Sequence, residues 1–281
     1  MFGRERIEYK SLEQVRVMRR AGLVVADALD AVRAAVRPGT TTDALDAVAA
    51  AVIREAGATS NFLGYHGFPR TVCSSVNEQI VHGIPGPAVL EPGDLLSIDC
   101  GAVVDGWHGD AAFSVLVPAA DGSDIGTRAD HDLVEATEES LWRGIAALQV
   151  GEPLGRVGEA VDDFVTRECG GRYGLVEEYT GHGIGTAMHQ PPEVLNYRAQ
   201  GRTPKVRVGL CVAVEPMLTA GSPRARVLDD EWTVVTADGS RAAHAEHSVA
   251  VLEDGLFVLT ARDGGRTRLQ AAGVAVSHLL V

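Results

Sequence analysis

Hydrophobic and polar residues alternate most regularly between Leu95 and Val117. Leu96, Ile98 and Cys100 alternate with Ser97, Asp99 and Gly101. After a break near Val104-Asp105-Gly106, Ala111, Phe113, Val115 and Val117 alternate with Asp110, Ala112 and Ser114. A period of two marks a strand with one apolar face, so the stretch predicts a β-hairpin. Whether its loop centres on Val104-Asp105 or on Asp105-Gly106, Asp99 and Asp110 fall directly or diagonally opposite each other on the polar side. Neighbouring carboxylates repel unless a cation or a shared proton lies between them. The bland alternative is a solvated hairpin face carrying two harmless acids.

Elsewhere the period is helical. Residues 1–10 read as a short leader. Ser11-Leu-Glu-Gln14 reads as a capping box that opens a helix to about Val36, broken by Pro38-Gly39. Thr42 is expected to cap a second helix, with Asp43 and Asp46 in its first turn and Gly57 at its end. Residues 58–92 mix glycine, proline and β-branched residues, which predicts loops with short strands. Asp121 to Asp130 reads as an exposed polar excursion. Helices are then expected over His131–Leu148 and Val157–Cys169, the second stopped by Gly170-Gly171. Strands are expected over Val206–Met217, Trp232–Thr236 and Ala245–Leu252. No element is predicted after Arg262.

The order helix, helix, strands, acid therefore occurs twice. Gly93-Asp-Leu-Leu-Ser-Ile-Asp99 lines up with Gly209-Leu-Cys-Val-Ala-Val-Glu215, each a glycine followed six residues later by a carboxylate ending an apolar strand. Glu246 is the expected counterpart of Asp110. Such a duplication implies two halves about a pseudo-twofold, each lending two acids to one centre; chance likeness between two apolar strands is the competing explanation.

Composition narrows the class. The 281 residues are 46% hydrophobic with a formal charge of −13, which suits a large globular core and argues against a nucleic-acid surface. No apolar run reaches membrane-spanning length, and the start leads into no signal-peptide core, so a cytoplasmic location is expected. Cys73, Cys100, Cys169 and Cys211 form no CxxC or CxC pair and read as reduced thiols.

Four carboxylates in a duplicated frame can hold two divalent cations, and one or two histidines commonly complete such a site. His182, inside Gly181-His-Gly-Ile-Gly185, is the best candidate, its glycines allowing close backbone approach to a metal. Two ions about 3.5–4 Å apart can share a water and lower its pKa towards roughly 7, which is hydrolytic machinery. No serine elbow, HExxH or P-loop competes with it. His82 and His189 are candidate polar groups for a reacting carbonyl, against a purely structural role.

These residues resemble the type I methionine aminopeptidases. The likeness spans about residues 8–262 and rests on Gly64-Tyr-His-Gly-Phe-Pro69, Asn77-Glu78, His82-Gly-Ile-Pro85, Ile98-Asp99, Gly106-Trp-His-Gly-Asp110, Gly181-His-Gly-Ile-Gly185, Glu215-Pro-Met217, Trp232-Thr-Val234 and Glu246-His247. The resemblance implies an α+β pita-bread fold. One catalytic domain would cover residues 11–281, its halves (about 11–118 and 131–262) forming a curved antiparallel sheet covered by helices. It implies metal ligands at Asp99, Asp110, His182, Glu215 and Glu246. Asp110 and Glu246 would bridge two ions (Mn, Fe or Co), Asp99 would bind one, and His182 with Glu215 the other. Glu215 would also shuttle a proton, His189 would contact the scissile group, and His82 would stabilise the intermediate and the leaving side. Tyr65, Phe68, Cys73 and Trp232 would line the methionine pocket. The expected substrates are nascent chains with N-terminal methionine and a small second residue.

Two positions depart from the family pattern: Phe62 stands where a small residue is common, and Met188 where an aromatic is common. Both are expected near the pocket. An X-Pro dipeptidase or aminopeptidase of the same fold, and a non-catalytic binding member, are the alternatives. A monomer is expected, without membrane or sequence-specific nucleic-acid partners. Transient ribosome contact through Arg198, Arg202, Lys205 and Arg207 is weighed against a solvated loop, which is preferred.

Overall fold

The computed structural model describes residues 6–280, so the first half of the expected leader and Val281 lie outside the described residues. In chain order the elements are α1 (Leu12–Ala35), α2 (Thr42–Glu55), β1 (Thr59–Ser60), β2 (Val72–Val76), β3 (Gln79–Val81), β4 (Leu95–Val104) and β5 (Trp107–Leu116). Then follow α3 (Arg128–Ala146), α4 (Arg156–Asp163), β6 (Gly174–Leu175), β7 (Gly181–Gly183), β8 (Gln190–Val194), β9 (Cys211–Val214) and β10 (Met217–Thr219). The chain closes with β11 (Ala225–Val227), β12 (Val234–Thr236), β13 (Ala242–His244), β14 (Glu246–Leu252), β15 (Gly255–Val258) and α5 (Arg266–Ala271).

Local chemistry sets most boundaries. Ser11 accepts from the Gln14 amide and the Gln14 side chain returns to the Ser11 amide, completing the expected capping box. The second helix is capped by Thr41, not Thr42. The Thr41 hydroxyl accepts from the Ala44 amide at 3.2 Å, whereas Thr42 turns its hydroxyl to the backbone of Gly86. The third helix begins earlier than its apolar period suggests, because Thr127 and Asp130 form a second capping box. The fourth loosens into a wide turn over Phe164–Glu168 before Gly170 and Gly171 end it. The strand expected over Val206–Met217 is two, β9 and β10, separated by Glu215 and Pro216; proline has no amide to continue the ladder.

A nine-stranded sheet runs in the order β1-β4-β5-β14-β9-β7-β8, with β2 also on β4 and β15 on β14. The hairpin β4–β5 turns at Asp105-Gly106, both at positive φ, and its register pairs Asp99 with Ala112 and Gly101 with Asp110. The two carboxylates are therefore diagonal neighbours on one face. The opposite face packs Leu96, Ile98, Cys100, Ala111 and Phe113 against α1 and α2. In the second half, α3 and α4 pack Leu141, Ile145 and Val157 against Val212, Val214 and Val249. Among the described residues no helix is long and apolar enough to cross a membrane.

The halves meet at β5 and β14, which pair only at Ala112–Glu246 and Ala111–His247. On either side, serine hydroxyls take over. Ser248 serves the amide and carbonyl of Asp110, and Ser114 serves those of His244. Asp110 with Ser114 and His244 with Ser248 share one spacing of four. The Ser248–Asp110 contact is thus repeated locally as Ser114–His244 across the seam. The alignment of Gly93 with Gly209 stands: both take positive φ (85° and 87°) at the entry to their strands.

Helix α1 lies unusually close to this seam. A Cβ on Gly22 would come within 2.2 Å of the Leu259 carbonyl oxygen, and one on Gly109 within 2.8 Å of the Gly22 nitrogen. Only glycine at both positions permits this contact of main chain on main chain.

Candidate metal centre and substrate cavity

Four consecutive strands each deliver an acid to the concave face. Asp99 comes from β4, Asp110 from β5 and Glu246 from the start of β14, while Glu215 follows the end of β9. His182, in β7 beside β9, completes the set. Ligand atoms of Asp110, His182 and Glu246 lie within 4.8 Å of one another, as do those of Glu215, His244 and Glu246. His182 Nε2 lies 3.5 Å from Glu215 Oε1, and His244 Nε2 lies 3.8 Å from Glu215 Oε2. Glu246 belongs to both groups, as a bridging ligand must.

The glycines around His182 admit neighbouring main chain. A Cβ on Gly181 would meet the Ala213 carbonyl oxygen at 2.4 Å, and one on Gly183 the Pro191 carbonyl oxygen at 2.3 Å. They let neighbouring backbones close on β7 and so hold the imidazole from both sides. His182 Nδ1 donates to the Gly183 carbonyl at 3.0 Å, which leaves the Nε2 lone pair for a cation.

The electrostatics require a cation or protons. Burial, then mutual repulsion, pushes the carboxyls of Asp99 and Glu246 well above the usual range; Glu215 follows through burial and the charge of Asp110. Burial raises Asp110 to about 7. Burial and the nearby His189 push His182 down to about 3, while burial and His82 push His244 down to about 3, so both rings are neutral. Asp99 Oδ1, Asp110 Oδ1, Glu246 Oε1 and His244 Nε2 are buried with no hydrogen-bond partner. Buried polar atoms are normally satisfied. Unpartnered hard oxygens beside neutral imidazoles fit divalent transition metals, although Asp99 falls in neither close-set group of ligand atoms.

Beside the acids lies a cavity of about 280 Å³ whose wall includes every site residue expected from sequence: Tyr65, Phe68, Cys73, His82, His189 and Trp232 with the five ligand candidates. Phe62 and Met188, the two departures, are buried in the same apolar cluster as Phe68 and Cys73. The Phe68 and Trp232 rings meet edge-on at 5.0 Å. Tyr65 Oη lies 2.8 Å from His189 Nδ1, and the His189 ring stands 4.3 Å from that of His182. His82, lowered to about 4 by burial and by His189, sits at φ 59°, a left-handed conformation that is strained for a non-glycine residue. A second cavity of about 310 Å³, on the helix side between α1 and α3, includes none of the five ligand candidates.

Sequence reasoning missed His244. It sits in a three-residue strand, and its one sequence signal is the serine four residues on, matching Asp110 and Ser114. In the basic loop, Arg198 pairs with Asp163 at 2.7 Å and with Glu159 at 3.3 Å.

A curved two-half sheet with clustered acids and imidazoles beside a substrate-sized cavity defines a metal-dependent hydrolase. The chain belongs to metallopeptidase family M24, whose sequence profile matches residues 16–253. It is 53% identical over 263 residues to methionine aminopeptidase 1 of Mycobacterium tuberculosis, covering 92% of this chain and 96% of that protein. Methionine aminopeptidase 1 of Bacillus subtilis is 40% identical, with 89% and 98% covered. The crystal structure of methionine aminopeptidase from Thermotoga maritima superposes with a TM-score of 0.85 at 34% identity, covering 91% of this chain and 99% of that one.

Proposed function

We propose that the protein is a methionine aminopeptidase that removes N-terminal methionine from nascent chains with a small second residue. The observation that carries this reading is the junction of an apolar cavity with a closed end made of four carboxylates. Phe68, Trp232, Cys73 and Tyr65 offer methionine an apolar and polarisable wall. The acids at the closed end attract a free α-ammonium group, which restricts cleavage to chain ends.

Asp99, Asp110, His182, Glu215 and Glu246 would hold two divalent cations of the Mn, Fe or Co type, with His244 beside Glu215. When bound, such ions polarise the scissile carbonyl and lower the pKa of water. Glu215, raised by burial, is suited to accept a proton from the attacking water and return it to the leaving amine. With the Tyr65 hydroxyl donating to Nδ1, His189 keeps its proton on Nε2 as a donor to the substrate carbonyl. His82, neutral and held near Trp232 at a ring separation of 6.4 Å, steadies the leaving side.

The test is metal analysis of the purified protein paired with a peptide panel. Release of methionine from Met-Ala and Met-Gly peptides, restored by Mn, Fe or Co after chelation, is expected. Turnover confined to peptides with proline second would replace this reading with an X-Pro peptidase. Folded protein without metal uptake or turnover would make it a binding member of the fold.

A further inference from the structure

The segment between β7 and β8, Ile184 to His189, has no regular structure, yet it carries Met188 and His189 into the cavity. It is hung from outside. On one side the His108 amide donates to the Gly185 carbonyl at 3.0 Å. On the other stands Glu8, in the segment preceding α1 that the hydrolytic reading does not use. Glu8 Oε1 accepts from the Thr186 hydroxyl at 3.0 Å, and Glu8 Oε2 accepts from the Thr186 amide at 3.3 Å and from Gln190 Nε2 at 2.8 Å. Thr186 and Gln190 flank Met188 and His189 in sequence, so one carboxylate fixes both ends of the span that bears them. Within the loop, Gln190 Oε1 accepts from the Ala187 amide at 3.4 Å.

Glu8 is itself fixed. Lys10, its side chain 1% exposed, places Nζ 3.5 Å from Glu8 Oε2 and donates to the Glu8 carbonyl at 3.0 Å. The Lys10 amide donates to the Gly209 carbonyl at 2.7 Å. The pair fills the space left by the missing side chain of Gly185, where a Cβ would lie 2.4 Å from both Glu8 Oε2 and Lys10 Cε. A buried lysine with one carboxylate partner does not swing freely.

We propose that Glu8 is a positioning residue for catalysis: buttressed by Lys10, it sets the height of the Thr186–Gln190 loop and hence the aim of His189 at the substrate carbonyl. This rests on the reading of the protein as an aminopeptidase in which His189 contacts the scissile group. Glu8 belongs neither to the cavity wall nor to the groups of ligand candidates. Its influence passes through two loop residues to an imidazole whose other nitrogen is tied to Tyr65. A donor displaced by a fraction of an ångström loses most in the transition state, so the deficit belongs in kcat more than in KM.

The test uses the full chain with Glu8→Ala, Glu8→Gln and the exchange Glu8→Gln/Gln190→Glu, which restores one carboxylate to the junction. Glu8→Ala is expected to lower kcat on a Met-Ala peptide by about ten-fold or more, with KM and metal content little changed. It should also speed amide hydrogen exchange across residues 184–190 while leaving that of β4 and β5 alone. Glu8→Gln, which spares the shape, should fall between, and the exchange variant should recover most of the lost kcat. Unchanged kcat in Glu8→Ala overturns the proposal. So does global loss of protection in both Glu8→Ala and Glu8→Gln, or an exchange variant no better than Glu8→Gln. Because loop exchange is read without turnover, inactive wild-type protein with an intact strap would count against the aminopeptidase reading and not against the tether.

Discussion

The hydroxyl of Ser248 lies 3.0 Å from the amide nitrogen of Asp110 and 2.8 Å from its carbonyl oxygen, so one side chain of the second half satisfies both backbone groups of a ligand candidate in the first. Ser248 is fully buried, so no solvent replaces it. Ser248→Ala should cost about 1–3 kcal/mol, the penalty for leaving buried polar groups unpaired. It should also weaken metal retention, because the Asp110 backbone gains freedom. Chemical denaturation with metal titration checks both, and a variant of wild-type stability would show that the hydroxyl is dispensable. Ser114→Ala disturbs His244 by the same geometry but at a half-buried position open to a cavity, so its loss of stability should be smaller.

Glu246 and His244 separate two levels of involvement. Glu246→Ala removes a carboxylate shared by both ligand groups and should abolish turnover and reduce bound metal. His244→Ala should retain metal with affinity lowered by about ten- to a hundred-fold, the usual effect of removing a group supporting the ligands. Metal analysis after dialysis distinguishes them. Equal losses would make His244 a full ligand.

Chelation should reverse the pH dependence of stability. Without ions, folded Asp110 holds its proton up to about pH 7, well above its ordinary value of 3.8. Folding therefore binds a proton in that window, and the stabilisation is lost as pH rises through 7. Buried His82, His182 and His244 act in the opposite sense, with values lowered to about 4, 3 and 3. Their contribution is complete above the ordinary imidazole value of 6.5 and flat beyond it. Chelated protein should therefore melt at a lower temperature at pH 8 than at pH 6.5. Metal-loaded protein should do the reverse, since protons compete with the ions. Thermal melts at the two pH values, with and without chelator, decide this.

Phe62 packs edge-on against Phe68 at 6.4 Å and is 7% exposed, so it narrows the cavity from within. Phe62→Ala should raise the relative kcat/KM for peptides with a bulkier second residue, such as Met-Val over Met-Ala, by about ten-fold, the scale of added apolar volume. Its stability should fall by about 3–5 kcal/mol. An unchanged ratio would mean that Phe62 packs the wall without setting selectivity.

Local periodicity and end chemistry made much of the fold legible. The hairpin and the shared face of Asp99 and Asp110 follow from alternation, which leaves the choice between direct and diagonal opposition open; the turn at Asp105-Gly106 decides it. The Ser11 box was readable because all its partners lie within four residues. What escaped depends on distant chain. The hydroxyl of Thr42 was claimed by Gly86, 44 residues away, leaving the cap to Thr41. Proline split the Glu215 strand, although the acid itself was correctly singled out. His244 was overlooked because a three-residue strand shows no period and its one signal, the serine four residues on, is weak. Glu8 had no signal either, since its partners lie 178 and 182 residues downstream.

The direct contact of α1 with the hairpin at Gly22 and Gly109 bears on the ion-free state. With main chain abutting main chain, and no flexible side chain between, the strand carrying Asp110 has nowhere to recoil when cations leave. Protons must then take over the task of neutralising the pocket. The stripped protein is in effect a small store of acid, and refilling it with divalent cations should visibly lower the pH of a weakly buffered solution.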